Sequence, residues 1–398
     1  MFEKELNSLF QTMILKNYFQ GIQWSIKKDN ISYAGKVGFM DLDKKDPIRE
    51  DSIYRIWSMT KPIVAIATMI LVERELIDLE DPIESYLPQA KKLKVLQNKN
   101  NNEVLLDLER SIKIKDLLLH TAGFSYNFLN DPIGKEYEKN KIFHSENSLL
   151  KNEVEKILTF PLLFQPGKNW VYSVSIDVLA YIIEIITNKS IFLFLEENIF
   201  IPLGMNDTFY FVEENKRHRI MSSYEYIQKS NELKKISYKS QTINNYGYPH
   251  SNSQYARGGH GLFSTIYDYM KFANMLLSGE GRNKEKILDR KYLNLVNQNY
   301  IKPDLFPLEI NSMGENKFND IPNDLLPYGW GLGFRVMINK EKNNNLGSLG
   351  EFGWSGAAAT YFLVDPSKNI TAVLMTQVLQ ANPILKKLFY EFIYNNFK

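Results

Sequence analysis

Apolar and polar positions along the chain alternate in distinguishable ways, and each pattern predicts an element. Met1–Phe19 mixes Glu3, Lys4, Glu5 and Lys16 among apolar residues, as an amphipathic helix does. Ile22–Ile26 and Ile31–Val37 flank the turn-forming Lys28-Asp29-Asn30, the pattern of a β-hairpin. A polar loop, Asp41–Asp51, leads into the short strand-like run Ile53-Tyr54-Arg55-Ile56-Trp57. Met59–Glu75 is apolar nearly all round, which predicts a fully buried helix. Its Pro62 falls in the first turn, where a missing amide proton costs little.

Asp78–Pro88 reads as a turn-rich connection, and Gln97–Glu103 as a polar loop. Helical patterns dominate Ile112–Leu195, with Val178–Thr187 again strongly apolar. Loops rich in Asn, Tyr and Gly fill Tyr238–Gly261, and a helix over Thr265–Leu277 follows Ser264. The period then changes. Tyr328–Val336, Ala358–Val364 and Ile370–Thr376 are β-like, and Asp365–Asn369 turns between the last two. A final helix, capped by Asn382 with Pro383 in its first turn, carries Ile384, Leu385, Leu388, Phe389, Phe392 and Ile393 as one stripe. Strands at both ends with helices between predict an α+β fold. Its central antiparallel sheet, flanked by helices, is built from 1–80 and 255–398, and a mostly helical lobe, 81–254, is inserted into it.

Composition narrows the function classes. Forty-eight Lys and Arg against 46 Asp and Glu leave a net charge of +2, too balanced for a nucleic-acid or membrane-surface protein. Cysteine is absent, which removes disulfides, thiolate catalysis and cysteine-ligated metals. The longest apolar run, Ile63–Val72, is about half of what a bilayer requires. The first residues lack the pattern of a secretory signal, so a cytoplasmic location is expected.

Few catalytic ingredients are left. His120, His144, His218, His250 and His260 show no metal-ligand spacing. Each reads first as a loop or core histidine bonded to nearby backbone. Gly353-Trp354-Ser355-Gly356-Ala357 lacks the last glycine of a nucleophile elbow and opens no helix. Ser-x-x-Lys occurs three times, at Ser25–Lys28, Ser58–Lys61 and Ser148–Lys151. In a strand the first pair points to opposite faces, and the third reads as a surface helix cap. Ser58 differs, because it stands where a strand-like run enters an apolar helix, so Ser58 and Lys61 share a face. Two readings are open there: a helix cap with Lys61 snorkelling outward, or a nucleophile with its activating amine.

Ile53-Tyr54-Arg55-Ile56-Trp57-Ser58-Met59-Thr60-Lys61 resembles the active-site segment of the penicillin-recognising serine hydrolases. The resemblance is closest to the class C β-lactamase branch and its β-lactamase-like carboxylesterases. Asp116–Phe124, Gln165-Pro166-Gly167 with Tyr172-Ser173-Val174 and Asp177-Val178-Leu179, Gly258–Thr265 and Phe352–Ala357 follow in the family's order. The match spans about Gly21 to Gln377.

What the resemblance implies is a β-lactamase/transpeptidase-like fold with its active site between the lobes. Ser58 matches the nucleophile, Lys61 its partner and Tyr172 the general base, whose pKa Lys61 would have to pull down; Lys61 itself is the alternative base. Backbone amides of Ser58 and Ala357 match the oxyanion hole. Trp354, Ser355 and Gly356 match the edge strand along which the acyl group lies, and Val174 and Ser125 are further candidates for substrate binding. Read from the residues alone, the aromatic-rich loops with Tyr126, Tyr246, Tyr248 and Trp330 suggest an apolar pocket, with ordinary packing as the equal alternative.

Two departures bear on substrate. The edge strand's basic residue is replaced by Trp354, and the asparagine two residues after the tyrosine by Val174. Both losses remove polar recognition, as in the carboxylesterases. The expectation is a serine esterase acting on a small-molecule ester, with no metal or organic cofactor. A β-lactamase, D-amino-acid peptidase, acyltransferase or catalytically inactive binding protein is the alternative.

Overall fold

A computed structural model describes residues 2–99, 102–144, 148–236, 256–311 and 325–397. Its framework is one eight-stranded antiparallel sheet. The strands in chain order are Gly21–Lys28 (β1), Ile31–Asp41 (β2), Asp46–Pro47 (β3) and Tyr328–Trp330 (β4). Arg335–Met337 (β5), Phe352–Ser355 (β6), Tyr361–Asp365 (β7) and Ile370–Met375 (β8) complete it. The spatial order is β4-β5-β6-β7-β8-β1-β2-β3, so strands from the two ends of the chain meet where β8 pairs with β1. The α+β architecture expected from the sequence is the one the chain adopts.

Period-two alternation decides which side each residue fills. In β7, Tyr361 and Leu363 join a core with Phe10, Trp24 and Phe389, under the first helix (Phe2–Leu15, α1) and the last (Ile384–Asn396, α5). Phe362 and Val364 turn to the other face, into the large core that includes Ile63, Met270 and Phe272. That core also holds the helices Thr60–Glu73 (α2), Ser175–Thr187 (α3) and Ile266–Ser278 (α4). Every α2 residue from Thr60 to Leu71 is buried, as its unbroken apolar pattern requires. Asn382 Oδ1 accepts from Ile384 N at 3.0 Å and starts α5, while Thr265, one residue after Ser264, caps α4.

Four local readings change. Gln97–Glu103 is not simply a loop, because strands Lys94–Lys99 and Asn102–Asp107 pair up to its middle. The second strand is exposed along nearly its whole length, so no buried face left an apolar alternation to read. The β-like run Tyr328–Val336 is broken at 331–334, where Gly333 is left-handed (φ 87°) and packs against Ala65. Ala358–Val364 yields a strand only from Tyr361, since Ala359 is left-handed (φ 59°). Ser148 caps nothing either: the helix Leu150–Ile157 has no side-chain cap. Among the described residues, no single helix is long and apolar enough to cross a membrane.

Candidate active site

Ser58 is placed from both sides. Tyr54 and Arg55 pair with Ser264 and Phe263, and Ile56 N donates to Leu262 O at 3.0 Å. Gln377 clamps Arg55, accepting from its amide at 3.2 Å and donating to its carbonyl at 2.9 Å. Trp57 then takes a left-handed φ of 49°, uncommon for a residue with a side chain, and starts a 3-10 turn, Trp57–Met59, that runs into α2. Such backbone outliers cluster at functional sites. Ser58 is left half-buried at this turn.

Lys61, one turn later, is only 1% exposed, and α2 has no side-chain cap. The cap-and-snorkel reading of this pair therefore fails. Lys61 Nζ donates to Ser58 Oγ at 3.2 Å and to Gly259 O at 2.7 Å. It lies over the rings of Tyr172 and Tyr126, 4.6 and 5.0 Å from their centroids. Burial pulls its pKa down to about 7, while the carboxylate of Asp177 acts in the opposite sense. A neutral amine is thus accessible near neutral pH.

Tyr172 is buried beside Ser58 and hydrogen-bonds it. Its hydroxyl also accepts from Trp354 Nε1 at 3.2 Å. Burial pushes the phenol above its ordinary value, although the bonds from Ser58 and Trp354 work against this. The direction is opposite to the depression expected from Lys61. The physical reason is placement: the amine lies over the face of the ring, and its hydrogen bonds go to Ser58 and Gly259.

The acceptor Gly259 is held by a carboxylate that sequence reasoning assigned no role. Asp177, fully buried on α3, accepts from Gly259 N at 2.9 Å through Oδ1 and from Tyr126 OH at 3.4 Å through Oδ2. Burial raises its pKa, and Lys61 and the amides of Gly258 and Gly259 oppose that. A Cβ on Gly259 would overlap Tyr126 OH and Asp177 Oδ2. Gly259→Ala is therefore expected to destabilise the fold by about 1–3 kcal/mol. The check is thermal unfolding, and an unchanged midpoint would contradict this packing. Both residues lie in segments that follow the family's order, but no role was read from them: one is an Asp in an apolar helix, the other a Gly in a Gly-rich loop.

The strand beyond Tyr172 differs from the edge that was expected. β6 is interior at Phe352 and Gly353, which pair with Val336 and Arg335. Only Trp354 and Ser355 lack a partner on that side, because β5 ends its pairing at Arg335; on the other side they pair with Phe362 and Tyr361. Gly356 has no room for a Cβ against Ile56 O and Trp57, so glycine lets the strand end approach the Ser58 turn. Gly356 N donates to Thr360 O at 2.8 Å and Ala359 N to Gly356 O at 3.1 Å. Between them the exposed Ala357 has an amide without an acceptor among the described residues, as does Ser58. Ser355, Gly356 and Ala357 border a recess of about 300 Å³ whose other wall is the start of α5, and Ser58, Lys61 and Tyr172 do not line it.

Two other expected residues lie elsewhere. Ser125 and Val174 are completely buried, so neither presents surface to a ligand. Ser125 Oγ donates to Asp131 at 2.6 Å, and Asp131 caps the helix Pro132–Lys139. Tyr126 and Trp330 do flank Tyr172, in an aromatic group with His120, Trp170 and Trp354. Tyr246, Tyr248 and His250 lie outside the described residues. His260 is half-buried, stacked on Trp57 with ring centroids 6.3 Å apart. Among the described residues, no three His, Asp or Glu side chains converge as a metal ion would need.

Fold and homology together define an enzyme of the serine-hydrolase class, with a β-lactamase/transpeptidase-like architecture. The chain belongs to the Beta-lactamase family, whose model matches residues 9–390. Protein Rv1367c of Mycobacterium tuberculosis is 27% identical over 379 residues, covering 91% of this chain and 89% of that protein. Lovastatin esterase of Penicillium rubens is 31% identical over 242 residues, 60% of this chain and 58% of the esterase. The solved structure of EstCE1, described as a hydrolase with promiscuous acyltransferase activity, superposes with a TM-score of 0.79. It is 21% identical and covers 99% of this chain and 98% of its own, which establishes a common fold.

Proposed function

We propose that this protein hydrolyses neutral carboxylic esters through an acyl intermediate on Ser58. The observation that carries the proposal is the convergence of the Lys61 amine and the Tyr172 phenol on one serine oxygen. Lys61, with its pKa near 7, takes the proton of Ser58 as the hydroxyl attacks the ester carbonyl. The free amides of Ser58 and Ala357 stabilise the tetrahedral oxyanion. Tyr172, protonated because it is buried, gives its proton to the departing alkoxide, and the Lys61 ammonium restores it. Water then attacks the acyl-serine with the same groups acting in reverse.

Substrate class follows from what lines the site. Trp354, whose indole bonds Tyr172, and Ser355 offer no positive charge for a carboxylate. The lovastatin esterase among the relatives fits an ester substrate. An alcohol in place of water would make the same intermediate an acyltransferase. The test is a parallel assay of a short-chain nitrophenyl ester and a chromogenic cephalosporin, with an added alcohol as competing acceptor. Faster ester cleavage is expected, and faster cephalosporin cleavage would overturn the choice.

The pH dependence has a definite sign. The base form of Lys61 is lost as pH falls through about 7, so kcat/KM should rise with pH to a plateau with an apparent pKa near 7. Because burial raises the Tyr172 pKa, no second limb belonging to it should appear up to about pH 9. A pH–rate profile still climbing at pH 9 would contradict Lys61 as the base.

A further inference from the structure

One histidine brackets the tyrosine of the site. His120 ends the helix Ile114–Leu119 in a left-handed conformation (φ 57°). Its carbonyl accepts from Val171 N at 3.1 Å, and its Nδ1 accepts from Ser173 N at 3.2 Å. Ser173 Oγ lies 3.2 Å from the same nitrogen and 2.8 Å from Ser175 Oγ. The residues immediately before and after Tyr172 are thus both tied to His120. The imidazole also packs on the phenol ring, with centroids 4.9 Å apart.

Chemistry separates this arrangement from ordinary packing. A backbone amide can only donate, so Nδ1 is the acceptor and the ring proton sits on Nε2. Nε2 is buried and has no hydrogen-bond partner among the described residues. Around the ring lie Trp170 and Trp330, edge-on at 6.3 and 5.3 Å. An unsatisfied buried donor is costly, so an apolar ring would fill the space better if filling were the only requirement. Burial, with the charge of Lys61 acting in the same sense, holds the imidazole neutral and keeps Nδ1 available.

We infer that His120 is a positioning residue: by gripping residues 171 and 173 it fixes the Tyr172 hydroxyl where a leaving alkoxide collects its proton. The inference rests on the reading of Tyr172 as proton donor, and the experiment separates the two. Esters of one acid with an alkyl alcohol and with nitrophenol are compared as a kcat/KM ratio within each variant. Alkoxide departure needs the proton and nitrophenolate departure does not, and the ratio is insensitive to the fraction of folded protein.

Tyr172→Phe should depress the alkyl ester about 100-fold more than the nitrophenyl ester. His120→Leu should shift the ratio in the same direction by at least about tenfold, since a small misplacement of a reacting group carries such penalties. His120→Gly gives the same comparison if the leucine strains the left-handed backbone. His120→Asn, whose Oδ1 can replace Nδ1 and which tolerates positive φ, should return the ratio to within about threefold of wild type. Equal losses on both esters in His120→Leu and His120→Gly, with Tyr172→Phe still discriminating, would overturn the positioning role alone. No discrimination in Tyr172→Phe would overturn the role of the tyrosine and the inference together.

Discussion

Ser58→Ala is expected to lower kcat/KM for a nitrophenyl ester by at least about 10⁴-fold, the scale set by removing a catalytic nucleophile. The loss should fall on chemistry and not on folding. Ser58 caps no helix, and its partners keep other bonds: Lys61 to Gly259 O and Tyr172 to the Trp354 indole. Neither buried group is orphaned, so the change in stability should stay within about 1 kcal/mol. Steady-state kinetics and thermal unfolding on one preparation check both halves. Turnover that persists in Ser58→Ala would move the chemistry to another residue.

Lys61→Met is the second large effect, and it should fall on chemistry far more than on folding. Removing the base should cost about 10³-fold or more in kcat/KM. Two effects on stability oppose each other: an amine taken almost wholly out of water is replaced by an apolar chain, while Gly259 O loses its donor and buried Asp177 loses the charge that favours its carboxylate, so the net change should stay within about 2 kcal/mol. The lowered pKa of Lys61 expresses the same burial cost. An inactive variant that unfolds close to the wild-type temperature would mark Lys61 as kept for chemistry. A less stable variant with most of its activity would mark it as a structural residue.

Legibility in the sequence followed burial. The strands that bury a face, such as Ile22–Ile26 and Ile370–Thr376, carry an apolar signature, and so does the helix after Ser58, buried on every side. The hairpin Lys94–Asp107 carries none, because its second strand is almost entirely in solvent. Motif order led to Ser58, Lys61 and Tyr172, but not to how they share a proton. That depends on which atoms face one another, and the amine lies over the ring while burial raises the phenol. Asp177 and Gly259 escaped because their importance is a contact between residues 82 positions apart. Ser125 and Val174 were carried over by position alone, and burial removes both from the cleft.

Ser58 should carry the acyl group covalently during turnover. Quenching the protein in acid during turnover of a slow ester and mapping the adduct by peptide mass spectrometry reads this out. The predicted result is the mass of the acyl group on the peptide carrying Ser58, absent from Ser58→Ala. Ester turnover with no adduct at Ser58, or with the acyl group on a different side chain, would contradict it.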